Sequence, residues 1–492
     1  MTKRLSPYAT VLAVSTAVWA VHCGTDSGSG NGSTYPGPTY GTGSGSGSGG
    51  SSGSGGSSGS GSSGGKSSSG SGSSGGKPSG GSSGSSGSGS GGSSGSGSGG
   101  SSGSGSGGSS GSGSGSSSGG GPVGADPCLT KQADNVPASV NPPGGLQPSQ
   151  VPQFVMFGSD DNYYADGVDW LVKTAFAGKA NSDGTPAQIT FFITSGGATS
   201  QNGGVFAPGT VGQTEQQVLA SWQNAYAAGH EVGNHTWDHD KSDSTAGTSY
   251  AASDWQTEID LSQAFLKTQA SFPACELDGW RFPYLAFDDA GFATYAGAGF
   301  LFDASVEFGY NWWQPPGSTA GFGPGSPESG KHYWWPMTLD TGFPSDSNSG
   351  FDPTETKGVG AHPGVWEFFA HVWNSPDPSN AASVRTVTGL DYNMWQRMQT
   401  NPSDGYDFCA TLKYTFEQKY NGNRAPFNVG IHSTIYSPDD PSQDTFFGNT
   451  ADVRRAGLQC FIDALFSGQY PDVRVVGFHK VIAWMRNPKA IH

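Results

Sequence analysis

The chain has 492 residues, of which only 33% are apolar and 82 are glycine, and its formal net charge is −16. An acidic chain without a long run of Lys or Arg argues against nucleic acid as a partner and suits a neutral or cationic polymer. The low apolar content is uneven, because one long segment carries almost no side chains that could be buried.

Read from the start, residues 1–23 have the pattern of an export signal. Lys3 and Arg4 form a short positive region, and the apolar run from Val11 to Val21 is too short to span a bilayer. Cys23 follows, and the arrangement resembles a bacterial lipoprotein signal in which the Cys becomes the lipidated first residue. His22 departs from the small residue usual before such a Cys. The expected location is extracytoplasmic, lipid-anchored to the membrane or cell surface through Cys23, or otherwise secreted. Any membrane association is expected through the lipid alone.

Residues 24–125 form the second segment. From Ser27 to Gly121 they are almost wholly Gly and Ser. Such a chain cannot offset the entropy of ordering, so a disordered tether is expected. Roughly 95 residues of flexible coil give an r.m.s. span of about 55 Å. Residues 126–492 hold nearly all the aromatic residues and are long enough for one large domain, expected to act as a monomer. Within it Cys128, Cys275, Cys409 and Cys460 are an even set in a chain that reads as exported, which suggests two disulfides with three possible pairings.

Strand-like and helical patterns alternate along this domain. Gln153–Phe157 (QFVMF) reads as a buried strand and Gln188–Ile193 as another. Between them, Val168, Leu171, Val172 and Phe176 predict a helix over Gly167–Gly178. Further helices are expected at Glu215–Ala228, stopped by Gly229, and at Asp254–Ala270. Later strands are expected at Gly299–Phe302, Val365–Phe369, Asn428–Ile431 and Val473–Val476. The alternation predicts a parallel α/β fold, a barrel or a distorted one, with functional residues at the C-terminal ends of strands.

Four patterns at or near such ends carry chemistry. Asp160 and Asp161 directly follow the first strand. In Gly229–His239 (GHEVGNHTWDH) the zinc-protease pattern H-E-x-x-H fails, because position 234 is Asn. His235 and His239, four residues apart, are expected on one helical turn, where both imidazoles could reach one metal. Two His and one Asp leave open positions, as a hydrolytic metal needs. In Gly279–Tyr284 (GWRFPY), Arg281 could hold a neighbouring acid ionised, and the turn at Pro283 could present the Tyr284 backbone N–H to an oxyanion. His432 ends a strand and is a candidate general acid. Trp312, Trp313, Tyr333, Trp334, Trp335 and Trp373 offer rings on which sugars could stack.

Asp-Asp, H-T-x-x-H, R-F-P-Y and a late strand ending in His, in that order, resemble the polysaccharide deacetylases of carbohydrate esterase family 4. The pattern is more narrowly similar to the chitin deacetylases of arthropods and their bacterial relatives. Supporting segments are PGGL (143–146), VPQ (151–153), WPMTLD (335–340), HPGVWE (362–367), NRAPF (423–427) and VIAWMRNP (481–488). The resemblance covers residues 128–492. It implies a distorted (β/α) barrel of about seven strands. It further implies Asp160 as catalytic base, Asp161, His235 and His239 as metal ligands, and Arg281 as the residue orienting the base. Tyr284 would help form the oxyanion hole, His432 would be the acid, and Trp335 would wall the acetyl methyl.

The implied cofactor is Zn2+, with Co2+ or another divalent metal as substitutes, and the implied partner is a polysaccharide substrate. The implied reaction is removal of acetyl groups from an N-acetylglucosamine-containing, chitin-like polymer, releasing acetate. Acetylxylan or peptidoglycan deacetylation would use the same residues, and a non-catalytic wall-polysaccharide-binding protein is an alternative of another class. An Fe(II) oxygenase also uses two His and one carboxylate, but it spaces the first His and the acid close together, unlike Asp161 and His235. Two departures from the family pattern stand out. Gly158 and Ser159 replace a Thr-Phe pair before the acids, and Asp303, Asp340 and Glu367 are equal candidates for the acid that tunes His432.

Overall fold

The computed structural model describes residues 128–198, 213–239, 250–308, 330–344, 356–376 and 384–491. The expected signal, the tether and Trp312–Trp313 lie outside the described residues.

The strands in chain order are β1 (Gln153–Asp160), β2 (Thr190–Ile193), β3 (Glu231–Asn234), β4 (Gly279–Trp280), β5 (Phe302–Asp303), β6 (Glu307–Phe308) and β7 (Met337–Thr338). They continue as β8 (Trp366–Glu367), β9 (Ala370–His371), β10 (Trp373–Pro376), β11 (Val384–Val387), β12 (Phe427–His432) and β13 (Val473–Val475). Nine of them build one sheet in the order β12-β1-β2-β3-β4-β5-β8-β7, with β13 also paired to β1. All neighbours are parallel except β7 and β8. This is the expected distorted barrel, with nine strands rather than about seven; the extra count comes from two-residue pieces such as β7 that carry little sequence signal.

β1 is buried at all eight positions, which is why it reads as a continuous apolar run rather than an alternating one. Its period of two still sorts the side chains. Val155 and Phe157 pack with Phe176, Trp222 and Phe461 on one side, and Phe154 and Met156 with Phe192, Phe302 and Phe478 on the other. Asp160 belongs to the second row.

Helices follow the expected places with small shifts, at Glu215–Ala227 and Ala252–Thr268. Thr214 caps the first of these by accepting from the Gln217 N–H, and Gly229 leaves it at φ 90°, a conformation that favours glycine. The helix expected at 167–178 is split: an α-helix spans Ala165–Trp170 and a π-helical turn spans Leu171–Ala175. No helix among the described residues is long and apolar enough to cross a membrane.

The open question of cysteine pairing resolves to Cys128–Cys275 and Cys409–Cys460. The second bridge joins the helices Phe408–Asn421 and Ala451–Leu465. Tyr333, Trp334, Trp335 and Trp373 are all buried, so these four are core residues rather than sugar-stacking surfaces. Trp335 stacks on Trp484 and donates to the Asn423 carbonyl, which accounts for its burial and corrects the expectation that it lines the acetyl pocket.

Candidate active site

Parallel strands deliver their C-terminal ends to one side of a sheet. β1 ends at Asp160, β3 one residue before His235, β4 one residue before Arg281, and β12 at His432. The register pairs Asp160 directly with His432. The sequence-expected residues therefore meet through strand geometry.

Arg281 is fully buried and uses its guanidinium to bind four groups. Nη1 donates to Asp160 Oδ1 at 2.8 Å and to the Gly158 carbonyl at 3.2 Å, Nη2 to Asn428 Oδ1 at 3.0 Å, and Nε to the Ala304 carbonyl at 3.0 Å. Its plane lies over the Phe192 ring, 4.4 Å from the centroid. A Cβ on Gly158 would meet both terminal guanidinium nitrogens at 2.7 Å, so glycine here admits the arginine against β1. Ser159 also has a purpose: its hydroxyl donates to Asn162 Oδ1 at 2.7 Å and accepts from the Ser433 N–H at 3.1 Å. Burial pushes the Asp160 carboxyl up to about 6, with the Arg281 charge working in the opposite direction.

Asp161, His235 and His239 converge, with ligand atoms all within 4.8 Å of one another. His239 Nε2 is 3.4 Å and His235 Nε2 3.8 Å from Asp161 Oδ1. That oxygen is buried and accepts no hydrogen bond. A buried carboxylate oxygen facing two imidazoles is left uncompensated unless a cation lies between them. Bonds of 2.0–2.1 Å at a tetrahedral angle separate ligand atoms by roughly 3.3 Å, so the set fits Zn2+ after small closure. His235 Nδ1 donates to the Arg281 carbonyl at 2.8 Å, which fixes the tautomer with Nε2 free to ligate. Burial, reinforced by His239, holds the His235 imidazole neutral, the form a metal needs.

The expected helical turn under the two histidines is absent. β3 ends at Asn234, and Thr236 and His239 take positive φ of 71° and 58°, outside any helix. The turn is held instead by side chains. Asn234 Oδ1 accepts from the Thr236 N–H at 2.8 Å, Thr236 Oγ1 from the His239 N–H at 3.2 Å, and Glu258 Oε2 from the Trp237 and Asp238 N–H groups at 2.9 and 3.0 Å. Asp161, Asn162 and Tyr284 also have positive φ, so uncommon backbone collects at this end of the barrel. Tyr284 has φ 56°, is 41% exposed, and its ring centroid is 4.6 Å from that of His239.

None of the three acids considered for His432 touches it. His432 Nδ1 bonds Asp391 Oδ1 at 2.7 Å, and Asp391 Oδ2 accepts the His432 N–H at 3.0 Å. Burial works to lower the His432 pKa, but Asp391, helped by Asp161 and Asp160, raises it to about 9. Asp391 opens the helix Asp391–Thr400, and the bridge between Leu390 and Gly430 brings it beside β12. An acid at a helix start just after a strand was the only signal available for it. Asp303 and Glu367 face each other across β5 and β8 instead. Asp303 binds the Ser305 N–H and hydroxyl, and the Ser305 hydroxyl in turn accepts from the Phe282 N–H at 2.7 Å, bracing the Arg281–Tyr284 turn. Asp340 accepts from the Asn135 and Gly364 N–H groups at 2.7 and 2.8 Å.

Residues 184–301 match the polysaccharide deacetylase family, a stretch that includes His235, His239, Arg281 and Tyr284. The chain is 25% identical over 375 residues to chitin deacetylase 8 of Bombyx mori, covering 75% of this chain and 80% of that protein. It is 21% identical to chitin deacetylase 1 of the same organism, covering 71% of this chain and 54% of that protein. A solved Mycobacterium smegmatis structure assigned to the polysaccharide deacetylases aligns over 71% of this chain and 97% of that one, at 12% identity and a TM-score of 0.38. Residues 184–301 thus match the polysaccharide deacetylase family, and the chain is similar over most of its length to a chitin deacetylase of Bombyx mori.

Proposed function

We propose that the chain is a metal-dependent hydrolase that removes acetyl groups from an N-acetylglucosamine polymer of the chitin type. The observation that carries this reading is the pairing of Asp160, held by Arg281, with His432, held by Asp391, beside the Asp161–His235–His239 cluster. A Zn2+ ion held by Asp161, His235 and His239 would supply an acidified water and a polarised acetyl carbonyl.

The chain's own groups supply the proton traffic. Asp160 accepts a proton from the attacking water as the C–O bond forms. The Tyr284 N–H donates to the oxyanion of the tetrahedral intermediate. His432, with Nδ1 bonded to Asp391, donates from Nε2 to the leaving nitrogen as the C–N bond breaks. Acetate and a free amino sugar result.

Support for the chitin-type substrate comes from the likeness to the Bombyx mori chitin deacetylases and from the hydrogen bond by which Asp391 favours the protonated form of His432. An amine leaving group needs a proton far more than the alcohol of an ester does. The test compares kcat/KM for acetate release on chain-length-matched chitin oligomers, acetylxylan and peptidoglycan fragments. Chitin oligomers are expected to lead by more than tenfold, about 1.4 kcal/mol. Acetylxylan leading by that margin would overturn the substrate assignment. The signal-like start and Cys23 further support export with lipid anchoring, which mass spectrometry of the mature N-terminus tests: lipid on Cys23 is expected, and an unmodified terminus elsewhere refutes the anchor.

A further inference from the structure

Four large apolar side chains are exposed among the described residues: Leu261, Tyr284, Phe446 and Val453. Leu261 and Val453 lie on the helices Ala252–Thr268 and Ala451–Leu465, single aliphatic residues of a kind normal on any surface. Of the two aromatic ones, Tyr284 touches the candidate active site directly and Phe446 is linked to it through Tyr392. Tyr284 lies against His239, a candidate metal ligand.

Phe446 stands two rings out from the acid, with Tyr392 between them. It is 37% exposed near the end of the helix Pro441–Phe447. Its ring lies over that of Tyr392, with centroids 5.3 Å apart and planes 31° apart. Tyr392 in turn lies 6.2 Å from the His432 ring. Phe447 is buried and meets both rings nearly edge-on, at 5.3 and 4.9 Å. Phe446 is thus fixed by Tyr392 and Phe447, and its remaining surface is exposed one ring beyond the ring that touches His432.

The position follows from the chemistry of the acid. His432 Nδ1 is taken by Asp391, so Nε2 must face the leaving nitrogen. That nitrogen is attached to a sugar, so the reacting sugar lies at His432. Tyr392 is one ring away from the acid and Phe446 one ring farther. We propose that Phe446, backed by Tyr392, is a stacking platform for the sugar next along the polymer from the one being deacetylated. The proposal rests on the reading of the site as a deacetylase of N-acetylated sugar polymers. A chain of such sugars is uncharged, and the C–H faces of its rings suit an apolar aromatic face.

The test uses the full chain loaded with Zn2+. In Phe446→Ala, KM for longer N-acetylglucosamine oligomers is expected to rise roughly three- to tenfold with kcat nearly unchanged. The gain in kcat/KM with oligomer length should flatten, while hydrolysis of p-nitrophenyl acetate, which cannot reach the platform, stays at the parent rate. Phe446→Trp should restore length dependence. An unchanged KM on every oligomer, or an equal loss on p-nitrophenyl acetate, overturns the platform. Calorimetric binding of the hexamer separates the two readings. A parent chain that releases no acetate yet binds the hexamer through Phe446 refutes the deacetylase reading and keeps the platform. A parent chain that neither releases acetate nor binds refutes both.

Discussion

Replacing Asp391 by Asn should convert a pH-tolerant acid into one that fails at alkaline pH. Asp391 makes two bonds to His432, one to Nδ1 and one to the backbone N–H. Asn keeps the shape and can still accept from Nδ1–H, but it loses the charge and turns an N–H donor towards the second partner. Burial then acts on His432 with less opposition, and its pKa should fall from about 9 towards the ordinary 6.5. A fall of that size would cut the protonated fraction from about 0.9 to about 0.03 at one pH unit below the parent's alkaline limb, a loss of roughly thirtyfold, and change it by less than about twofold three pH units below that limb. The assay is kcat/KM for acetate release from a chitin oligomer across pH 5–10, with metal content measured in parallel. In the parent, the acid limb should reflect Asp160 and the alkaline limb His432, both moved downward by a bound cation. The variant's alkaline limb should move down with metal content unchanged. A loss of equal size at every pH would refute the role of Asp391 in holding the proton on His432.

Asp160→Asn should retain metal and lose acetate release by roughly 10²–10⁴-fold, the usual worth of a general base; metal loss in this variant would reverse the roles of Asp160 and Asp161. His235→Ala and His239→Ala should each weaken Zn2+ in a chelator-competition titration and abolish activity, and exhaustive chelation of the parent should do the same until Zn2+ or Co2+ is returned. The opposite end of the barrel holds His479 between Glu231 and Asp278, at 2.9 and 2.6 Å. Burial opposes both charges there, yet mutual attraction leaves the Glu231 pKa below 4.5 and the His479 pKa well above 6.5. The glutamate's contribution is complete above pH 4.5 and lost as pH falls through its lowered value. The histidine's is complete below pH 6.5 and lost as pH rises through its raised one. His479→Ala, which leaves a buried carboxylate unpaired, should therefore cost about 3–5 kcal/mol of stability between those limits, read as urea midpoints against pH. A cost that does not shrink outside that window would refute the ionic account.

Strand ends were the most legible part of the site. Asp160 and His432 each end a strand whose apolar run is explained by its burial, Arg281 follows the short strand Gly279–Trp280, and parallel pairing then brings them together. The histidine pair was legible as a pair but not as a structure. A four-residue spacing fits a helix, yet here Asn234, Thr236 and Glu258 hold a turn whose positive φ values no local propensity announces. Asp391 was not legible, because 41 residues and a helix start separate it from His432. Asp303, Asp340 and Glu367 looked equally suitable in sequence, and only the sheet order shows that two of them face each other. The aromatic clusters misled for a related reason: ring-rich segments serve a two-sided core as readily as a sugar.

The register that sets Asp160 beside His432 makes their backbone separation a repeat distance of the sheet, about 4.8 Å. No loop intervenes, so the span between proton acceptor and proton donor behaves as a rigid gauge. The histidines of the metal cluster, by contrast, sit on a turn held by side chains. Removing the ion should leave the gauge intact while the turn relaxes, and metals of different size should be accommodated by the turn alone. Relatives that diverge in substrate would then vary in the segments around the gauge, since altering the gauge itself would mean slipping a strand by one residue and turning Asp160 to the wrong face.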